Sequence, residues 1–135
     1  MSARAADALR RLGALATIVV GVVHLQQYAD FIHDVPTIGV LFLLNAAGAG
    51  AVTILLATRR AALGAVGAIG LSAGALVSIA ISMTDRGLFR YTEPTFRAPV
   101  AIAVVAEVAA IALLLAYLLV RRMPSRAPRV DWSAR

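Results

Sequence analysis

Four long stretches of this chain are nearly bare of charge, and each is long enough to cross a membrane. They cover roughly 11–32, 37–58, 61–84 and 98–120, against the about 20 apolar residues that a hydrocarbon core about 30 Å thick requires. Inside hydrocarbon every backbone N–H and C=O must be satisfied within the protein, which selects helix for isolated apolar segments. The expected fold is therefore an all-α integral membrane protein, an antiparallel four-helix transmembrane bundle. It forms a single transmembrane domain over 1–135 with a basic cytoplasmic tail at 121–135. With 61% hydrophobic and only 15% charged residues, little chain is left for a soluble domain.

The distribution of charge sets the orientation. The net charge is +6 and all 13 basic residues are arginine. Ten of them (Arg4, Arg10, Arg11, Arg59, Arg60, Arg121, Arg122, Arg126, Arg129 and Arg135) flank one side of the expected spans, and three (Arg86, Arg90 and Arg97) flank the other. That bias predicts both termini in the cytoplasm. The arginines then meet anionic lipid head groups at the cytoplasmic face, and nucleic acid is not the expected partner. The absence of lysine in an alanine-rich chain points to a bacterial cytoplasmic membrane by association. The first span follows arginines, yet it is too long for a signal-peptide core and carries no small-residue cleavage site, so it is read as retained. With no cysteine, disulfide exchange, thiolate metal sites and iron–sulfur clusters are excluded.

The polar residues inside the spans carry the functional argument, because ionisable groups in lipid are costly and face the bundle interior or water. His24 lies about 15 Å, Asn45 about 13 Å, Glu107 about 12 Å and Ser78 about 10 Å from the same ends of their helices, at 1.5 Å per residue. Thr17, Gly21, His24 and Tyr28 make one small-and-polar stripe at i, i+4, i+7 and i+11. If such stripes face inward, His24, Tyr28, Asn45, Ser78 and Glu107 share one slab of the interior. A carboxyl at that depth is either protonated or paired. Beside a histidine it forms a group able to exchange a proton, ligate a metal or hold a polar ligand. A structural hydrogen bond between helices is the plain alternative.

Gly67, Gly70 and Gly74 form a glycine-rich stripe on the third span, with Gly70 and Gly74 in a GxxxG spacing that permits close helix packing, within the chain or across a homo-oligomer. Asp30, His33 and Asp34, at i, i+3 and i+4, are weak candidates for a divalent cation, although a solvated helix end has the same composition. Two histidines about 13 Å apart on one helix cannot clamp a single haem iron, and the sequence leaves any cofactor unidentified. No nucleotide loop, nucleophile elbow or zinc-protease helix is present, so no catalytic residue is assigned.

Two functions follow as expectations. One is an interior polar site that binds or conducts a small ligand, ion or proton; the other is a non-catalytic accessory subunit of a larger membrane complex. The orientation is directly testable. A reporter fused after Arg135 is expected to report cytoplasm and one inserted near Glu93 the opposite side; the reverse pattern refutes the orientation.

Overall fold

The computed structural model describes residues 3–93 and 95–122; the basic tail expected beyond Arg122 lies outside them. Among these residues it is all-helical, with no strand and four helices long and apolar enough to cross a membrane. They are α1 (Ala3–Gln27), continued by a π-helical turn (Tyr28–Ile32), then α2 (Ile38–Leu56), α3 (Ala61–Ser82) and α4 (Ala98–Val120). Helix α1 begins well before the expected span, so the basic lead-in is already helical.

The chain punctuates these elements in recognisable ways. Pro99 occupies the first turn of α4, where its missing N–H costs nothing. Arg10 donates to the Leu56 carbonyl at 2.5 Å, satisfying one of the free carbonyls at the end of α2. Asp7 holds Arg10 at 2.6 Å and Arg11 at 2.8 Å. Arg10 thus serves as a cap between helices, a role that its place among head-group arginines did not indicate.

Helix α1 packs on α2 and α4, and α3 packs on the same two, so the four helices form a closed ring. Small residues line the contacts. On α4 the buried face runs Val100, Ala103, Ala106 with Glu107, Ala110, Leu114, Tyr117 and Val120, recurring at helical spacing. It meets α1 at Gly13, where the Leu114 side chain fills the space left by the missing Gly13 side chain. The opposite faces carry Val22, Leu25, Ile54, Val66, Val105 and Leu119, all exposed, as suits helices surrounded by lipid.

The glycines of α3 divide into two groups. A Cβ at Gly64 would meet the Leu56 nitrogen at 2.7 Å and the Val52 oxygen at 2.9 Å, and one at Gly67 would meet Val52 at 2.9 Å. These are the close approaches of α3 to α2. At Gly70 and Gly74 a Cβ would meet nothing within 4 Å, and both are exposed. The expected inward stripe therefore departs from helix packing after Gly67. The buried face of α3 continues instead through Ala68, Ser72 and Ala75, while Gly70 and Gly74 face the gap beside α2.

Gly64→Ala is accordingly expected to destabilise the protein by about 1–3 kcal/mol, the usual cost of overpacking. Gly70→Leu and Gly74→Leu should unfold in detergent at the wild-type temperature. Equal thermal stability for all three variants would refute this division of the glycines.

Candidate functional site

A cavity of about 370 Å³ lies between α2 and α3, toward the end of the bundle that carries the 83–97 connection. Its volume falls within the about 300–1,000 Å³ usual for small-molecule sites. Helix α1 contributes His24 and Gln27, α2 contributes Phe42 and Asn45, and α3 contributes Ser78 and Ser82. Leu88, Tyr91 and Glu93 of the connection complete it, and the remaining wall is mostly aliphatic.

His24 is buried and oriented from two sides. Its Nδ1 lies 2.9 Å from the Val20 carbonyl oxygen, which can only accept, so Nδ1 carries the hydrogen and donates. Its ring rests against Phe42, with centroids 5.0 Å apart. This leaves Nε2 facing Glu107, 3.8 Å from Oε1. That separation is within ion-pair range and beyond a hydrogen bond, and a shift of about 1 Å would close it.

Glu107 is fully buried on α4, and neither carboxyl oxygen has a hydrogen-bond partner. It does not line the cavity but stands behind His24, which touches both. Two protonation patterns suit a carboxyl so placed: a carboxylic acid donating to Nε2, or a carboxylate beside an imidazolium. Either puts one exchangeable proton between α1 and α4, with His24 as its contact to the cavity.

The structure thus brings His24, Asn45 and Ser78 to one cavity and Glu107 to its rear wall. Asn45 bonds neither His24 nor Glu107; its Oδ1 is buried without a partner. Tyr28 takes another place. It begins the π-helical turn, where the backbone widens, and its ring packs over Gly39 at the start of α2 and edge-on to His33. One position earlier, Gln27 takes the place expected for Tyr28.

The proposed cation ligands do not converge. His33 Nε2 is 3.2 Å from Asp34 Oδ2, but Asp30 does not complete a metal-binding group, and no cluster of three such residues exists among the described residues. Asp34 is almost wholly exposed, so this pair is a solvated helix end.

The connection supplies the part of the site that sequence reasoning missed. Phe89 and Phe96 are exposed, as suits residues among head groups. Leu88 and Tyr91, however, exchange backbone hydrogen bonds of 2.8 and 2.9 Å around Gly87, Phe89 and Arg90, all at positive φ. Glu93 anchors this turn by donating its N–H to Ser82 at 2.9 Å. The Glu93 carboxylate accepts from the Tyr91 hydroxyl at 2.8 Å and from Arg97 at 3.0 and 3.2 Å. Arg97 also lies over the Phe31 ring, joining the turn to the end of α1. The mixture of Tyr91, Glu93 and Arg97 within one short loop was the available signal.

Four helices long and apolar enough to span a membrane define the class, a multi-pass membrane protein of helical-bundle type. Comparison of the chain with protein-family models, with curated proteins and with solved structures finds no match.

Burial, aided by the hydrogen bond to Glu93, pushes the Tyr91 hydroxyl up to about 12. A raised folded value means that the neutral phenol is favoured in the folded turn. Its contribution is complete below the ordinary value near 10 and lost as pH rises through about 12. Tyrosinate absorbance should accordingly show one group ionising near pH 12 that Tyr91→Phe removes. Loss of a group near pH 10 instead would disprove the buried hydroxyl.

Proposed function

We propose that this chain is a multi-pass protein of the bacterial cytoplasmic membrane, an antiparallel bundle with both termini in the cytoplasm. Its interior site takes a small ligand, ion or proton in the outer half of the bilayer. One observation carries the reading. Buried polar atoms without protein partners, Asn45 Oδ1 and both Glu107 oxygens, stand beside or behind a cavity that His24 also lines. Native proteins satisfy nearly all such atoms, so a cluster of orphans at a cavity argues for a further group there. A purely structural tie between helices would leave fewer of them.

The orientation draws support from the arginine-bearing ends. The Arg10 bond to Leu56 joins the start of α1 to the end of α2, and Leu56, Ala61, Leu114 and Tyr117 share one core cluster. Arg4, Arg11, Arg59, Arg60, Arg121 and Arg122 are exposed around that end, where they can meet anionic head groups. The cavity then belongs to the opposite, outer half.

The accessory-subunit reading keeps one observation in its favour. Around Gly70, Ala73 and Gly74, α3 presents exposed backbone with little side-chain bulk, a surface that another helix could approach. Purification in mild detergent followed by mass spectrometry separates the two. A small molecule retained by wild type and lost in His24→Ala supports the site, and a stoichiometric protein partner without one supports the accessory role.

The role of the carboxyl is tested by paired substitutions. Glu107→Gln keeps size and hydrogen bonding but loses the exchangeable proton, whereas Glu107→Ala loses all three. If the site works through the proton, Gln abolishes ligand retention with little change in stability. If Glu107 is only a tie between helices, Gln substitutes fully and Ala costs about 1 kcal/mol, the scale of a membrane hydrogen bond.

A further inference from the structure

The cavity has one covered end and one open side. Its end at the 83–97 connection is closed by the Leu88–Tyr91 turn, which Glu93 fastens to α3 through Ser82. Its side lies between α2 and α3. There Leu41 and Leu44 are exposed, the latter 61%. Gly70 and Gly74 of the facing helix offer no side chain and meet nothing within 4 Å. In a bilayer that side faces hydrocarbon, so the unobstructed approach is from lipid.

The hydrogen-bonding character of the wall narrows the ligand. Ser78 spends its hydrogen on the Gly74 carbonyl, Ser82 on that of Ile79, His24 Nδ1 on that of Val20, and Tyr91 on Glu93. The serine hydroxyls keep lone pairs, while the carboxamides of Gln27 and Asn45 bring both N–H donors and carbonyl acceptors to the wall. The wall therefore suits a group that both donates and accepts, as a hydroxyl does.

Charge narrows the choice. Among the described residues no arginine lines the cavity, so an anionic head finds no counter-charge there. Glu93 is already engaged by Arg97 and Tyr91, and Glu107 is screened from the cavity by His24. A cationic head would be desolvated without a free carboxylate against it, which is costly.

Resting on the reading of the cavity as a ligand site, we infer that it takes an uncharged, hydroxyl-bearing amphiphile that enters sideways from the lipid between α2 and α3 and hydrogen-bonds to the Asn45 carboxamide. The apolar body lies along Leu41, Leu44 and Leu71, and the head points inward.

The test uses the full-length protein in phosphatidylcholine vesicles with a diazirine-bearing octanol as photolabel. Labelled residues are located by mass spectrometry, and the competitors are decanol, decyl methyl ether, decylamine and decanoate at equal membrane concentrations. Label is expected on the 41–45 and 70–78 segments. Decanol should protect about fivefold better than the other three, the worth of one hydrogen bond. Asn45→Leu, which keeps bulk and removes the carboxamide, should erase that advantage. Gly74→Leu, which fills the side opening, should abolish labelling of both segments.

Equal protection by all four competitors, or stronger protection by the amine or the carboxylate, overturns the hydroxyl inference and leaves the cavity as a site for another ligand. Labelling confined to other helices overturns entry from lipid. The broader reading fails separately, when no small molecule is retained on purification and Glu107→Gln behaves as wild type.

Discussion

Hydrocarbon offers no water to a polar side chain, so each such group in a membrane helix must find its partner within the protein. Glu107 shows that constraint at its strongest. It is fully buried on α4, with His24 Nε2 at 3.8 Å as its charge-capable neighbour and no hydrogen bond to either oxygen. Bringing the two together requires α1 and α4 to approach closely. The small side chains of Ala103, Ala106 and Ala110 on one helix, with Gly13 and Thr17 on the other, allow it. Larger residues along that seam would separate the carboxyl from the imidazole and leave an isolated charge in the bundle.

The second pair of helices solves a different problem. Near Gly64 and Gly67, α3 lies almost backbone to backbone with α2, but farther along the two leave room for the cavity. Leu71 remains in reach of Gly48 and forms the boundary between the two regimes. A bundle packed at full density along its whole length would have no interior space. Here close packing at one end and open packing at the other coexist in one helix, and the glycines serve both. In the first region they admit a neighbouring backbone; in the second they leave a wall without side chains.

The connection after α3 and the π-helical turn after α1 finish the covered end. The π-helical turn widens the backbone just past Gln27, setting Gln27 toward the cavity and Tyr28 toward Gly39. Extra residues of this kind commonly mark places where a helix adapts to a site. The connection carries the only carboxylate that lines the cavity among the described residues, and Arg97 and Tyr91 bind it firmly. Charge at the mouth is thereby neutralised. The cavity is consequently polar without being strongly charged.

The helices themselves were legible in the chain. Their lengths and places follow from where charges stop and start, because a charged residue inside lipid is expensive and a run of about 20 residues without one matches the thickness of the hydrocarbon core. The same reading selected His24, Asn45, Ser78 and Glu107, since depth along a helix depends only on the fixed rise per residue. Which of these residues touch was left to the packing of one helix on another. Helical periodicity assigns a face but not the neighbour that covers it. Gly70 and Gly74 therefore read as packing residues although they border open space, and Tyr28 read as a cavity residue although a widened turn redirects it. Tyr91 and Glu93 lie in a loop without period, where only the folded turn, with Arg97 holding the Glu93 carboxylate, brings them to the cavity.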